Sequence, residues 1–328
     1  MNRQENWFTQ KVEVWAEFWF PSPALGNLAL MRIGVAIVGL YVLSTRAYDL
    51  EFMLSPLLLG DGEALQPLGR LTLPGGVFGW FSGTGWLWAA HVMAIVTAAA
   101  FLLGVYTFAT GTVLILFLLS YGAQNPAVIL GVDGLLVMSV FYLTFSPSDR
   151  GLTALWWRVP VPAARQRVPL TLTTLDSQPP PRPWGGIGLR VLQIHLCILY
   201  FQSALGKMSQ GWLQGSVFHH PRLVEAQMGL APAMGAADAW VGIALAYMMV
   251  LFELFYGLLI WLPGFRWVVL GMAVGIHLWV GFAWDKLPFN LLMVFLNLAF
   301  LPPKPVDWFV DQIHLLGAEL VAMARAAR

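Results

Sequence analysis

The stretch GLRVLQIHLCILYFQSALGKMSQGWLQG, residues 188–215, decides how the rest of the chain is interpreted. It begins as an apolar segment long enough to cross a bilayer and ends with Lys207 in apolar surroundings. At helical spacing one face carries an amide, a phenol and an amine, from Gln193, Tyr200 and Lys207. Because an ionisable group inside a spanning helix rarely faces lipid, this pattern predicts that the face looks into an intramembrane pocket.

The composition of the chain is typical of an integral membrane protein. Of the 328 residues, 58% are hydrophobic and 11% are charged, whereas a soluble domain has about a quarter of its residues charged. The 16 Trp and 21 Phe suit the two interfaces of a bilayer. A formal net charge of +1 gives no indication of nucleic-acid binding, and the single cysteine, Cys197, excludes an internal disulfide and a thiolate metal cluster.

Apolar segments predict an all-α polytopic membrane protein with about eight transmembrane helices. Segments of ~20 apolar residues match the ~30 Å hydrocarbon layer, and the shorter ones need protein neighbours or kinks. A loop is predicted at 45–84, between the first two spans. The spans are predicted at 24–44, 85–103, 106–121, 126–145, the apolar part of 188–215, 240–262, 266–284 and 288–301.

The segments outside the spans have distinct compositions. Residues 1–23 combine aromatic and charged residues at roughly helical spacing, which predicts an amphipathic helix on the membrane surface. Residues 147–186 are rich in Pro and Arg, and they predict a solvated loop between two four-span halves, 24–146 and 187–301. Residues 302–328 predict an amphipathic tail after the last span.

The distribution of Lys and Arg predicts the orientation. Most of them fall in the segments on the same side as the two termini, including 147–186. The positive-inside rule therefore predicts cytoplasmic N- and C-termini, and it puts Lys207 at the outer end of its helix. We expect the bacterial inner membrane, with the lipid bilayer as the principal partner.

Four ionisable residues within the predicted spans are candidates for a functional site. Lys207 is either a lysine that extends to the headgroups or an amine that desolvation keeps uncharged, which could then act as a general base. Asp133 and Glu253 are either structural carboxylates, paired or bonded to a neighbouring helix, or pocket residues. His277 is either an interhelical hydrogen-bond partner or a catalytic group.

Other polar residues give weaker indications. Arg32 either extends to the headgroups or is a buried partner for an acidic group, and His91 is a further candidate at the margin. His195 points away from the lysine-bearing face of its helix and is predicted to be structural. His219 and His220 are adjacent but lack Cys or a nearby pair of carboxylates, so they predict a solvated loop rather than a metal site.

Several motifs together resemble a known family. The most specific is QIHLCILYFQSALGKMSQGW followed by LQGSVF, at 193–218; MRIG occurs at 31–34 and NPAVILGVDGLL at 125–136. ELFYGLLIWLP begins at Glu253, and HLWVGFAWDKLPFNLLMVFLNLAFLPP begins at His277. In this order the motifs resemble the horizontally transferred transmembrane (HTTM) family, which shares its membrane domain with the vitamin K-dependent gamma-glutamyl carboxylases.

The resemblance implies a carboxylase-like helical bundle and a specific chemistry. In the carboxylases a lysine at this position deprotonates reduced vitamin K, and oxygen converts the hydroquinone to a strongly basic alkoxide. The alkoxide takes a proton from the γ-carbon of a substrate glutamate, and carbon dioxide adds to the carbanion. Lys207 falls on the catalytic lysine, and His277 falls on the histidine of a later helix of the family.

The resemblance also implies a pocket and a cofactor. The cofactor would be reduced vitamin K (menaquinol) or another lipid quinol, and a peptide or protein would be the second substrate. The carboxylases carry a lysine pair where this chain has Gly206 before its lysine. The predicted pocket residues are Gln193, Tyr200, Trp212, Glu253 and Asp133.

Three functions are therefore considered. The first is a quinol-dependent, carboxylase-like enzyme that forms the epoxide with or without carboxylating a glutamate. The carboxylases bind their protein substrate with a large β-rich region that follows the membrane domain. This chain ends soon after its last predicted span, and the second function is predicted for that reason. It is a non-catalytic membrane partner, such as a maturation or immunity factor that binds a peptide or lipid. A small-solute transporter is a third prediction, disfavoured because the halves show no inverted repeat.

Overall fold

All regular structure in the described residues is helical, which confirms the all-α prediction. A computed structural model describes residues 3–20, 24–54, 76–80, 83–124, 131–149, 185–209, 212–215, 218, 236–310, 312–313 and 323. The helices are α1 (Arg3–Trp19), α2 (Leu25–Arg46), α3 (Leu50–Met53), α4 (Thr84–Leu102), α5 (Thr107–Gln124), α6 (Gly131–Phe145), α7 (Gly185–Ser209), α8 (Ala236–Leu259), α9 (Pro263–Ala283), α10 (Leu287–Asn297) and α11 (Pro303–Val310).

The apolar helices are those of an integral membrane protein. Within the described residues, α5 and α6 are apolar but shorter than a full span. Helix α10 is long enough to cross a membrane only together with α11, and the two are separated by a bend of 112°. By length and composition, five helices of the described residues could cross a membrane, or six if the bent pair is one span. Eight spans stays a prediction, although every predicted span overlaps a helix. The helices that are each long and apolar enough to cross a membrane are Leu25–Met53, Thr84–Leu102, Gly186–Met208, Trp240–Leu259 and Pro263–Ala283.

The first span is longer than predicted. Helical structure continues beyond residue 44, through Arg46, the 3₁₀ turn Ala47–Asp49 and α3, so the predicted loop at 45–84 begins later than expected. Arg46 and Leu50 are both buried. The sequence suggested a loop because polar residues interrupt the apolar run, whereas these two side chains pack into the protein.

Unit 1, one of two compact units, comprises Met1–Leu192 and Val274–Arg328. Its central helix is α2, which contacts α4, α6 and α10, while α5 packs against both α4 and α6. A Cβ at Gly34 of α2 would lie 2.2 Å from the ring of Phe295, so glycine allows α2 to approach α10 closely. Such close packing is the main source of helix association in a bilayer, where burying apolar surface gains little.

The bend after α10 is held by a side chain from α2. The 3₁₀ turn Leu298–Phe300 ends α10, and α11 leaves in a new direction. Asn27 is fully buried and donates through Nδ2 to the carbonyl oxygens of Leu298 at 2.8 Å and Leu301 at 2.9 Å. Because unbonded carbonyl groups at a helix end are costly away from water, Asn27 stabilises the bend.

Unit 2 comprises Gln193–Ala273 and contains an antiparallel helix pair formed by most of α7 with α8. Along α7, residues of rising number meet residues of falling number on α8, as antiparallel packing requires. In order along α7, the paired residues are Cys197 with Gly257, Tyr200 with Tyr256, and Lys207 with Glu253.

The compact units follow contacts, whereas the predicted halves 24–146 and 187–301 followed chain order. Because α10 packs against α2 and α6, the end of the chain belongs to the same unit as the first spans. Helix α1 coincides with the helix predicted at 1–23. Most of the predicted loop 147–186 and of the predicted tail 302–328 lies outside the described residues.

Candidate functional site: a lysine–glutamate pair

Lys207 lies near the end of α7, where its side chain crosses to α8. Its Nζ is 2.6 Å from each carboxylate oxygen of Glu253 and 2.6 Å from Oγ of Ser203. The two side chains of the ion pair are 15% and 11% exposed. The three N–H groups of an ammonium therefore have three oxygen acceptors. Of the two predicted alternatives, this geometry disfavours a lysine that extends to headgroups, and it puts a carboxylate beside the amine that was expected to be uncharged.

Ser203 completes the set because it lies one helical turn before the lysine. Residues four apart on an α-helix share a face, so the hydroxyl of Ser203 lies within reach of Lys207. The same spacing brings Ala204 and Tyr200 to the side of α7 that faces α8, and both are buried. Ile198 and Phe201, on the opposite side, are about half exposed. The predicted division of this helix into a polar-bearing face and an apolar outer face is therefore present.

The segment after Lys207 folds back over the amine. A 3₁₀ turn, Trp212–Gln214, contacts α8, and the ring centroid of Trp212 lies 5.1 Å from Nζ of Lys207. At this distance an aromatic face attracts a cation. Gly215, which ends the turn, has φ +72°, and a Cβ there would lie 2.5 Å from the backbone nitrogen of Ile243. The turn can therefore approach α8 only because residue 215 is glycine.

Aromatic side chains fill the space beside the ion pair. The rings of Tyr200 and Tyr256 stack with their centroids 3.8 Å apart and an angle of 24° between their planes. Phe252 meets both rings edge-on, at 5.9 Å in each case. The face of α7 that was predicted to look into a pocket is thus packed, at Tyr200, against aromatic residues of α8.

The predicted site residues are distributed over both units. Gln193 is 8% exposed and lies at the start of unit 2, four residues before Cys197 on the same face of α7. The structure brings together Lys207, Glu253 and Trp212, with Tyr200 on the same helix face. Asp133 and His277 belong to unit 1.

His277 is bonded within its own unit. Its Nδ1 lies 2.9 Å from Oδ1 of Asn290, whose Nδ2 donates to the carbonyl of Lys286 at 2.8 Å. Because the amide nitrogen of Asn290 is committed to a carbonyl, its oxygen faces the ring and Nδ1 of His277 is the donor. This is the interhelical hydrogen bond predicted as one of the two alternatives for His277.

Asp133 forms a second ion pair, with Arg46. Nη2 of Arg46 lies 2.6 Å from Oδ1 of Asp133, and the guanidinium carbon lies 4.6 Å from the ring centroid of Tyr121. The hydroxyl of Tyr121 is 2.6 Å from Nδ1 of His91. All four side chains are buried, from α2, α4, α5 and α6. The structural alternative predicted for Asp133 therefore describes its contacts.

Arg32 is fully buried, and its Nη1 donates to the carbonyl of Ser148 at 2.5 Å. This bond ties α2 to the segment just after α6. Of the two alternatives predicted for Arg32, extension to the headgroups does not fit, because the side chain is enclosed by the protein. His219 and His220 lie outside the described residues.

Several polar partners in these sites were not singled out by the sequence. Ser203 could have been found from its spacing of four residues before Lys207, and Tyr256 from its position three residues after Glu253. Arg46 carried no such signal, because it was assigned to a loop, and its pairing with α6 is a long-range contact.

Within the described residues, no group of three His, Cys, Asp or Glu side chains is arranged to hold a metal ion. The groups around the amine are the carboxylate of Glu253, the ring of Trp212 and the hydroxyl of Ser203. Comparison of the chain with protein-family models, with curated proteins and with solved structures gives no match, so the functional argument starts from the chemistry of Lys207 and Glu253.

Proposed function

We propose that this chain is an integral membrane enzyme of the HTTM type that uses Lys207 to deprotonate a lipid quinol. The observation that carries the proposal is the Lys207–Glu253 pair, which joins two apolar helices while remaining mostly buried. Charged residues within spanning helices are expensive and usually mark substrate or proton pathways.

The choice of residue types favours chemistry over a purely structural pair. Arginine is the better residue for a permanent ion pair in an apolar setting, because its guanidinium is always charged and binds a carboxylate in two places. Lysine changes its protonation state readily when buried, which makes it a usable general base. The site has lysine at 207, and the permanent cation Arg46 occurs in the other, more buried pair.

The surroundings of the pair suit a planar, apolar substrate. The ring of Trp212 lies 5.1 Å from the amine, and Tyr200, Tyr256 and Phe252 form an aromatic cluster on the same two helices. Aromatic rings prefer offset or edge-to-face contacts with other rings, so a quinol head group next to Trp212 would find a favourable contact there. Phe201 and Leu205, on the outer side of α7, are about half exposed, as expected for side chains in contact with lipid, the medium in which a quinol is dissolved.

The resemblance extends the proposal to a reaction. Reduced vitamin K (menaquinol) or a similar quinol would give its proton to Lys207, and oxygen would then convert it to a strong base and finally to the epoxide. Carboxylation of a peptide or protein glutamate would use the base when such a substrate is present. Water must be excluded for a strong base to survive, which suits a site between apolar helices.

We also propose the inner membrane of a bacterium, with both termini in the cytoplasm, as the location. The support is the excess of Lys and Arg in the segments on the side of the termini. A reporter enzyme fused to either terminus tests this orientation, because activity specific to the outer side would contradict it.

The proposal is tested with Lys207→Ala in lipid nanodiscs containing menaquinol. Oxygen uptake and epoxide formation should fall on the order of 10²- to 10⁴-fold, as expected when a general base is removed. Gly206→Ala is the matched control, because a Cβ at Gly206 meets no atom within 4 Å and the adjacent amine is unchanged. Equal turnover in Lys207→Ala and Gly206→Ala would reject the mechanism.

One observation favours a second candidate, a non-catalytic membrane partner such as a maturation or immunity factor. Every N–H of the Lys207 ammonium can be bonded, to Glu253 or Ser203, as in a structural pair. This candidate predicts that Lys207→Ala is tolerated in function. It also predicts that a copurified peptide, protein or lipid is lost when residues 206–238 are altered, and retention of the bound component in such a variant would reject it.

A further inference from the structure

The geometry of the Lys207–Glu253 pair raises a chemical difficulty for a lysine base, and its resolution assigns a role to Glu253. An ammonium has no lone pair with which to take a proton, and here all three of its N–H groups have oxygen acceptors. We propose that Glu253 is the final proton acceptor and that Lys207 is a relay between the substrate and Glu253. This inference rests on the proposed function, since the proton comes from the quinol.

The hydrogen bonds needed for the relay are already formed. Both carboxylate oxygens of Glu253 lie 2.6 Å from Nζ of Lys207. A proton can therefore move from nitrogen to oxygen along an existing hydrogen bond without rotation of either side chain. The two residues are on different helices of the same unit, so their separation is set by helix packing rather than by a mobile loop.

The step balances in atoms and electrons. One N–H bond of Lys207 breaks and an O–H bond forms on Glu253, which leaves a neutral amine beside a neutral acid. The neutral amino group then turns about its Cε–Nζ bond, and its lone pair takes the proton of the quinol hydroxyl, while the quinol oxygen keeps the electron pair of the broken O–H bond. Lys207 is again an ammonium, Glu253 is protonated, and the substrate is a quinolate. No electron is transferred in this step.

The relay keeps the charge of the site constant. Before the step the negative charge is on Glu253, and after it the same charge is on the quinolate, while Lys207 is positive in both states. No net charge is created in a low-dielectric environment, where an unpaired charge would be very costly. The ammonium also remains next to the new anion and stabilises it.

Two neighbours keep the amine in place when Glu253 becomes neutral. Ser203 remains within hydrogen-bond distance of Nζ at 2.6 Å, and the ring of Trp212 still covers the cation at 5.1 Å. The ammonium is therefore not held by Glu253 alone.

The experiment compares the wild type with Glu253→Gln in nanodiscs containing menaquinol. Glutamine has nearly the shape of glutamate but cannot accept the proton. Under nitrogen, infrared difference spectra should show a protonated carboxylic acid on addition of menaquinol to the wild type, and Glu253→Gln should lack this band. In air, epoxide formation in Glu253→Gln should fall on the order of 10²-fold or more, as for Lys207→Ala.

Two further variants make the comparison specific. Glu51→Gln changes an exposed carboxylate that accepts a hydrogen bond from Trp88, and it should leave both the band and the turnover unchanged. Glu253→Asp retains an acceptor that is one methylene shorter, so it should regain part of the turnover and show the band. If Glu253→Gln does not fold, the band in the wild type and the recovery in Glu253→Asp still test the relay.

The outcomes separate the two proposals. Turnover in the wild type with full turnover in Glu253→Gln overturns the relay but leaves the proposed function standing. Loss of turnover in Glu253→Gln without any carboxylic acid band in the wild type also overturns the relay, because Glu253 is then a structural partner. Absence of quinol-dependent turnover in the wild type overturns the proposed function, and the relay with it.

Discussion

The two ion pairs found among the described residues have the same shortest nitrogen–oxygen distance, 2.6 Å, and different surroundings. The side chains of Arg46 and Asp133 are 6% and 8% exposed, and those of Lys207 and Glu253 are 15% and 11% exposed. Arg46 reaches one carboxylate oxygen, whereas Lys207 is within 2.6 Å of both. The more buried pair thus has the cation that cannot lose its proton.

The comparison places one type of contact in two settings, to which we assign two different purposes. In unit 1 the pair joins α2 to α6, and a permanent charge there is useful because it never changes state. In unit 2 the pair joins α7 to α8 with a cation that can release a proton to its partner. The distance between the charges is the same, so the identity of the cation and its surroundings distinguish a structural pair from a reactive one.

The largest expected effect comes from replacing Lys207 of unit 2 by arginine, the type of cation that unit 1 has at Arg46. Lys207→Arg keeps a positive charge beside Glu253 but removes the exchangeable proton, so quinol-dependent oxygen uptake should fall on the order of 10²- to 10⁴-fold. The melting temperature should change little, because an ion pair can still form. Activity near that of the wild type would show that Lys207 acts through its charge and not through proton transfer.

The second effect is a loss of stability in unit 1. Asp133→Asn leaves the buried guanidinium of Arg46 without its counter-charge, which should cost about 3–5 kcal/mol of unfolding free energy. Thermal unfolding in detergent measures the loss. Asp49→Asn is the control, because Asp49 lies at the exposed end of a 3₁₀ turn and should change stability by less than about 0.5 kcal/mol. Similar midpoints for both variants would contradict a structural role for the Arg46–Asp133 pair.

Much of the fold could be predicted because it depends on local sequence. Runs of apolar residues located every apolar helix to within several residues, and spacing along α7 identified the face of Tyr200 and Lys207 that packs against α8. These features depend on the period of a helix and on hydrophobicity, which can be read over a short window. The end of the first span was wrong because Arg46 and Asp49 look like loop residues, although helical structure continues through them.

The pairing of charges could not be predicted in the same way. Lys207 had two carboxylates within predicted spans as possible partners, Asp133 and Glu253, and sequence alone does not indicate which helices pack together. The structure pairs Lys207 with Glu253 through contacts between α7 and α8, and Asp133 with Arg46 through contacts between α2 and α6. Such long-range contacts also explain why α10 belongs to the unit of the first spans.

The smallest expected effect concerns the aromatic ring beside each cation. The ring centroid of Trp212 is 5.1 Å from Nζ of Lys207, and that of Tyr121 is 4.6 Å from the guanidinium carbon of Arg46. Trp212→Leu should remove about 0.5–1 kcal/mol of cation–π attraction and lower quinol turnover about two- to fivefold, because the ammonium must stay in place while Glu253 is neutral.

Trp80→Leu is the matched control for this change, since Trp80 is 66% exposed and lies in unit 1. Turnover measured with both variants at saturating menaquinol separates a lower maximal rate from weaker substrate binding. If Trp212→Leu lowers stability and leaves the rate unchanged, the ring serves Lys207 as Tyr121 serves Arg46, by packing alone. The two pairs would then differ in the ability of lysine to give up a proton and not in the contacts around the cation.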